Sequence, residues 1–243
     1  MMLGARTAAW AKIGGGVPTA RDYVQDGLVA MWDGFENAGY GTHDDTATTW
    51  KDLIGNIDAT AINSPIFLYK YTDTSNGYWS LPSSVREIVE AQSLTAEVVF
   101  RTSDKFTSNF NQGIVGMGSG RSLWLFFGNP PSSAWATLVW QVRESPPIRA
   151  WYSSGPFSGT HSSSLVVDNS VCNAYLDSTL CTITPDISAG SSTSTSDFFI
   201  GMIPKHSNFY GKIYCVRIYS RAMTAAEITH NYEIDKARFN LPD

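Results

Sequence analysis

An all-β fold, an antiparallel two-sheet jelly-roll sandwich with a short C-terminal α-helix, is the class this sequence predicts. Three observations predict it. Runs rich in β-branched and aromatic residues recur about a dozen times, divided by Gly, Asn, Asp, Ser and Pro, as many short strands require. Aromatic residues reach 13% and charged residues 16%, a balance that suits half-buried strands joined by polar loops. Third, the stretch from Phe209 to Phe239 changes from a two-residue period to a helical one, so helix belongs to the margin of the fold. A chain of 243 residues with 43% hydrophobic content can build one proper core.

Residues 1–21 are small and Gly-rich and end in GGGVPTA, with bulk only at Trp10 and Ile13. They are expected to form a flexible or assembly arm ahead of a single domain over 22–243. The first strand is DGLVAMWDG, where Leu28, Ala30 and Trp32 alternate against Val29 and Met31. A long polar loop, GFENAGYGTHDDTATTW, leads to Trp50-Lys51-Asp52-Leu53 and a turn at Gly55-Asn56. Further strands are expected at 59–63, 77–81, 94–101, 113–117, 122–127, 136–142, 164–167, 171–176, 180–183 and 197–202. Between two of them PSSVREIVEAQ has the spacing for a turn or two of helix, and ISAGSSTSTSD reads as loop. In TAEVVFRT, Ala96, Val98 and Phe100 face one way, and Thr95, Glu97 and Arg101 share the other side with Val99.

The last strand, Gly211 to Tyr219, alternates Ile213, Cys215, Arg217 and Tyr219 against Lys212, Tyr214, Val216 and Ile218. Apolar residues on both sides imply an interior strand covered on both faces. Thr224 and Glu227 then have the capping-box spacing, so a helix starts there, and Ile228 and Tyr232 form its docking stripe. Asn231, Asp235 and Lys236 fall elsewhere around it. Two-residue pairing at Asp177-Ser178 would set Cys172 and Cys181 diagonally on one face, where a disulfide would need a shifted register, and free buried thiols are the expectation for all three cysteines, Cys215 included.

Composition excludes several classes. A net charge of −5 lacks the basic footprint of a nucleic-acid or anionic-membrane partner. No stretch reaches the ~18 apolar residues of a membrane span, and the first sixteen residues lack the apolar run of a signal peptide.

Catalysis is likewise not expected. Glycoside hydrolysis needs two carboxylates ~5 to 10 Å apart, and Glu97 stands alone on its strand, with Glu87, Glu90 and Glu144 equally lacking a carboxylate partner in a strand pattern. Four scattered histidines and no G-x-S-x-G turn speak against a nucleophile, and neither GGGVP nor GMGSGR completes a phosphate loop. The chain is therefore expected to be no enzyme, with a hydrolase using dispersed loop acids as the weakest reading. No motif demands a cofactor. Asp33, Asp44 and Asp45 could supply hard oxygens to calcium in the first long loop, although the loop lacks the EF-hand spacing and a plain solvated loop is the blander reading. Sugar binding needs an aromatic face with polar neighbours; the candidates are Tyr40, Trp79, Trp135, Trp151 and Tyr152, each of which could equally be packing.

Three segments carry a family resemblance. DGLVAMWDG followed by TTWKDLIGN is similar to the first strand and W-x-D-x-S/T-G-N loop of laminin G-like domains in the concanavalin A-like lectin/glucanase superfamily, with Ile54 at the small hydroxyl position. VCNAYLDSTL resembles that family's hairpin, with Asp177-Ser178 replacing Asn-Gly. FYGKIYCVRIYSRAMTAAEI resembles its closing G-x-I-x-x-V-R-I-Y-x-R-A-L-x-x-x-E-I segment. The resemblance is of the bacterial or phage type, and it implies a lectin-like sandwich in which calcium is common.

The leading expectation is a non-catalytic recognition or adhesion module that binds glycan or protein at a bacterial or viral surface. Its rival is a structural phage virion protein of head, tail or fibre that uses the jelly roll for assembly. Partners would be a glycan or surface protein, other virion proteins reached through Trp10 and Ile13 of the arm, or further copies of the chain. The expected location is the virion or the bacterial cell surface. Arg217, Tyr219 and Arg221 are expected to hold the sandwich together, and function to lie in the loops and the arm.

Overall fold

The protein is described here as a computed structural model, which places residues 17–89, 91–102, 112–117, 123–128, 137–142, 148–152, 159–169, 171–181, 183–185, 197–203 and 207–241. Their strands form two sheets, and every strand pair is antiparallel. The first sheet runs β14 (Thr179–Leu180), β13 (Val171–Leu176), β12 (Thr160–Asp168), β7 (Ser93–Thr102), β17 (Gly211–Tyr219), β5 (Tyr71–Asp73) and β4 (Ile66–Leu68). Strand β1 (Leu28–Asp33) also joins it, paired with the C-terminal half of β17. The second sheet runs β15 (Ile183–Pro185), β11 (Ile148–Tyr152), β10 (Thr137–Val142), β9 (Leu123–Gly128), β8 (Gln112–Met117), β16 (Phe198–Ile200), β6 (Gly77–Leu81), β3 (Ala59–Asn63) and β2 (Thr49–Trp50). Helix α1 is Val85–Val89 and helix α2 is Ala225–Phe239.

The main core lies between the sheets. Leu94, Ala96, Val98 and Phe100 of β7 face Leu123, Leu125 and Phe127 of β9 and Leu138 and Trp140 of β10, all buried. Period two brings these residues to one face, as expected. Buried indoles tie the layers together: Trp79 Nε1 donates to Thr72 Oγ1 at 2.9 Å and Trp140 Nε1 to Ser163 Oγ at 2.7 Å, each from the second sheet to the first. An indole can be buried this way because its N–H finds a partner.

The other face of the first sheet is covered by α2, giving a second core of Met31, Val99, Tyr214, Cys215, Tyr219, Ile228, Tyr232 and Phe239. The capping box forms as expected: Thr224 Oγ1 accepts from the Glu227 amide, and Glu227 Oε2 accepts from the Thr224 amide at 2.8 Å. The helix ends at Asn240, in the left-handed region with φ 59°.

Four expectations need correction. The alternation of β17 is broken by a register shift between Ile213 and Cys215 against β7. Ile213 therefore shares the inter-sheet core with Val216 and Ile218, while Tyr214, Cys215 and Tyr219 turn to the helix side. Helix α2 docks by more than its apolar stripe, because Asn231 and Asp235 are fully buried and Arg238 nearly so. The arm was expected to extend to residue 21, but Ala20 is fully buried and shares the second core with Tyr23. Finally, β2, β4, β5 and β11 were not anticipated. The β4–β5 connection, Tyr69-Lys70, contains none of the Gly, Asn or Asp residues that mark hairpin turns.

Elsewhere turn chemistry follows the sequence. Asp177 and Ser178 both have positive φ, 49° and 60°, as a two-residue hairpin turn demands. Asp52 organises the W-x-D loop: Oδ1 accepts from the Met31 and Ile54 amides and Oδ2 from the Gly55 and Ile57 amides, all at 2.9–3.0 Å. Among the described residues Cys172, Cys181 and Cys215 are joined by no disulfide. Burial pushes the Cys181 thiol up to about 11 and raises that of Cys215 well above its ordinary value.

Candidate functional site: an exposed tyrosine at a strained turn

The residues that stand out lie where the first long loop meets the β4–β5 turn. That turn is closed by Lys70 N donating to Leu68 O at 2.6 Å, with Tyr69 at its centre at φ 55°. A three-residue turn with positive φ at its centre is rare and strained, and most side chains avoid the left-handed region. Tyr69 nevertheless occupies it, and the residue is 71% exposed. Strain of this kind persists where the surroundings enforce it.

The enforcement comes from the loop. Gly34 is packed so closely on the Lys70 carbonyl that any Cβ would collide with that backbone, and its amide donates to Tyr214 O at 2.7 Å. Asp33 Oδ1 accepts from the Phe35 and Glu36 amides at 2.8 and 3.2 Å, which aims Phe35 at the turn. The Phe35 ring meets Tyr69 edge-on, with centroids 5.3 Å apart, and stacks on Phe239 of α2 at 5.7 Å. Further along, Asn37 is fully buried and pairs with the backbone of Asp44 in both directions, at 2.7 and 2.8 Å. This pairing delivers His43 and Asp45 to the turn. Asp45 Oδ1 accepts from the Tyr69 amide at 3.0 Å and binds His43 Nε2 at 2.9 Å. Those two bonds, with that of His43 first, hold the Asp45 carboxyl below its ordinary range and so ionised. The His43 ring stands edge-on to both Phe67 and Tyr69, each 6.4 Å away. The result is a fixed aromatic face beside an ionised carboxylate.

The residues singled out from the sequence are placed as follows. Asp45 belongs to this site. Asp44 is exposed nearby and accepts from the amide and hydroxyl of Thr46 at 2.8 and 2.6 Å; the hydroxyl bond leads in lowering its pKa. Asp33 does not join them. It is fully buried in an ion pair with Arg238 at 3.0 Å, and burial outweighs that pairing and pushes its carboxyl up. Among the described residues no three His, Cys, Asp or Glu side chains are grouped to hold a metal ion, so the expected trio is not a ligand set. Tyr40 is half-buried, with the Arg21 guanidinium 4.2 Å from its ring centroid, so one face is taken. Trp79 is fully buried against Phe67 and Trp50 and offers no platform: an inward position of β6 places it in the core. Trp135, Trp10 and Ile13 lie outside the described residues, as do the side chains of Trp151 and Tyr152, whose backbone forms the end of β11. Tyr69, Phe35 and His43 were missed as a group. The available signal was the alternation of IFLYKYTD around an aromatic where a turn residue would be usual.

Residues 73–229, more than half of the chain, match the laminin G-like family of the concanavalin A-like lectin/glucanases superfamily. The chain belongs to that superfamily. No curated protein matches its sequence. Among solved structures, this laminin G-like chain is similar to the Trypanosoma rangeli sialidase in complex with sialic acid, with TM-score 0.61 and 15% identity over 92% of this chain and 34% of the sialidase. A mutant of the same sialidase displaying trans-sialidase activity has TM-score 0.59 and 17% identity, again over 92% and 34%. A botulinum neurotoxin type C structure, from work on cell entry dependent on two ganglioside molecules, has TM-score 0.56 and 12% identity over 85% of this chain and 50% of that one. The laminin G-like chain thus spans about a third of the sialidases and half of the toxin chain, and at these identities the likeness shows the fold.

One expectation is overturned by these matches. The chain was expected to be no enzyme because it lacks the paired acids of a glucanase strand, yet the fold is found within chains that are sialidases. Absence of one arrangement of acids removes one mechanism and does not place the chain outside the enzymes.

Proposed function

We propose that this domain recognises glycan through the Tyr69 face. The observation that carries the reading is a 71% exposed aromatic held at positive φ by contacts from a separate loop. An exposed ring that the fold holds in place loses little freedom on binding, and its apolar face matches the C–H face of a pyranose. Asp45 beside it can accept hydroxyl protons. Sialic acid in the sialidase structure and the gangliosides of the toxin work support the choice of sugar as ligand for a domain of this architecture. The expected setting is a virion or bacterial cell surface, where such a face would attach its carrier to a sugar-coated target.

A glycan array followed by titration calorimetry tests this. Binding to at least one oligosaccharide is expected, and Tyr69→Ala should weaken it about 5- to 13-fold, the loss of one stacking contact of about 1–1.5 kcal/mol. Binding that survives Tyr69→Ala unchanged would move the site elsewhere.

A further inference from the structure

Resting on the reading of Tyr69 as a sugar platform, we infer that the site takes an acidic sugar, whose carboxylate is received by Lys70 and Lys212. Lys70 follows Tyr69 directly and closes the same turn through its amide. Consecutive Cα atoms stand about 3.8 Å apart, so a sugar ring stacked on Tyr69 presents its substituents to the Lys70 ammonium on its flexible stem. The next residue, Tyr71, carries a second cation: Lys212 Nζ lies 4.3 Å from its ring centroid. Both lysines and Tyr71 are half-buried. Burial first, and then the Lys212 charge, lower the Lys70 ammonium from its ordinary value, and among the described residues no carboxylate offsets them. On β7 the register partner of Lys212, Arg101, is exposed and adds a third positive charge to the row.

Like charges held together and partly desolvated are unfavourable unless an anion joins them. Among the described residues none does, since Lys70, Lys212 and Arg101 form no ion pair there. Asp73 lies opposite Lys212 in the strand register, but its Oδ1 accepts from the Ser75 amide at 2.9 Å, and the ammonium sits over Tyr71 instead. Asp45 has its Oδ1 taken by the Tyr69 amide and by His43, so it anchors the turn and leaves the lysines unpaired. The cations therefore select for a ligand carboxylate, and the Tyr69 ring for the sugar that carries it. Because the row is open to solvent, the selection weakens with salt.

The test uses the full chain and pairs of oligosaccharides that share a neutral core and differ by a terminal sialic or glucuronic acid. The acidic member is expected to bind at least ~10-fold tighter at low salt, and the gap should narrow to about 2-fold at high salt and in Lys70→Gln/Lys212→Gln. Glutamine keeps much of each stem, and an unchanged melting temperature shows that the double variant stays folded. Lys70→Glu, a single change at the turn, should drop the acidic member below the neutral one, and it decides alone if the double variant melts lower. Equal or tighter binding of the neutral member by the parent, or a gap that the lysine variants leave intact, overturns the inference. If Tyr69→Ala still weakens binding in that case, the platform itself stands. Failure to bind either member, or binding indifferent to Tyr69→Ala, removes the platform and the inference together.

Discussion

Tyr69 combines two properties that folding by itself disfavours, exposure of a large ring and a left-handed backbone. Replacing it with glycine removes backbone strain of ~1 kcal/mol and also the edge contact with Phe35, worth about the same. Tyr69→Gly is therefore expected to leave stability within ~1 kcal/mol of the parent by urea denaturation while sugar binding is lost. A fall of several kcal/mol would show that Tyr69 serves the fold. Asp52 is the opposite case. It accepts from four backbone amides of its own loop and β1, so it is a folding residue despite its place in a polar loop.

At the scale of elements, α2 is fastened to the first sheet by a buried ionic network. Arg217 on β17 donates through Nη1 and Nη2 to the two oxygens of Asp235 and through Nε to Glu97 Oε2, each at 2.8 Å. Tyr23 and Ser162 hydroxyls also donate to Asp235, at 2.8 and 2.9 Å, and Asn231 Nδ2 donates to Glu97 at 2.7 Å. Burial works against the Arg217 charge, and Asp235 and Glu97 outweigh it, so the guanidinium stays protonated. Removing Asp235 leaves Arg217 paired only with Glu97 and takes the acceptor from its two Nη groups and from the Tyr23 and Ser162 hydroxyls, so Asp235→Ala should cost ~3–5 kcal/mol and lower the melting temperature by roughly 10 °C. A loss below 1 kcal/mol would mean that the helix is held by its apolar contacts alone. The N-terminus of α2 makes one contribution to the pH dependence. Hydrogen bonding from Arg221, then from the Thr224 amide, depresses the Glu227 carboxyl to about 2 from an ordinary 4.5. A depressed acid stabilises the fold above its unfolded pKa, and that contribution is lost as pH falls through the folded value. The stability difference between the parent and Glu227→Gln should be full at pH 6 and shrink between pH 4.5 and about 2, as measured by denaturation at each pH.

In the whole molecule the two cores share the first sheet, so separating helix from sheet and sheet from sheet should be one event. Cys215 lies under α2 and Cys172 between the sheets, both buried. Both thiols are expected to react with a thiol reagent only at the rate of global unfolding; early labelling of Cys215 alone would show that α2 opens independently. The same two-layer packing explains what was legible beforehand. The alternation of Ala96, Val98 and Phe100, the Asp177-Ser178 turn and the Thr224–Glu227 box are settled by neighbours a few residues away, so they can be seen in the sequence. A candidate site is different in kind. Trp79 and Tyr69 are both aromatic and both sit at or beside strands, and nothing local says that one is fully buried and the other 71% exposed.

The sequence by itself determined the class of fold, its closing strand and capped helix, and the turn residues, because periodicity and capping act over a few residues. Tertiary structure alone decided the rest. The bulge in β17 changed which side chains face which core, Asn231 and Asp235 became interior because Arg217 and Glu97 lie opposite them, and Tyr69 became a surface feature because Gly34, Phe35 and Asp45 reach it from a loop more than twenty residues away. Whether a side chain is core, partner or platform depends on what covers it, and only the packed chain supplies the cover.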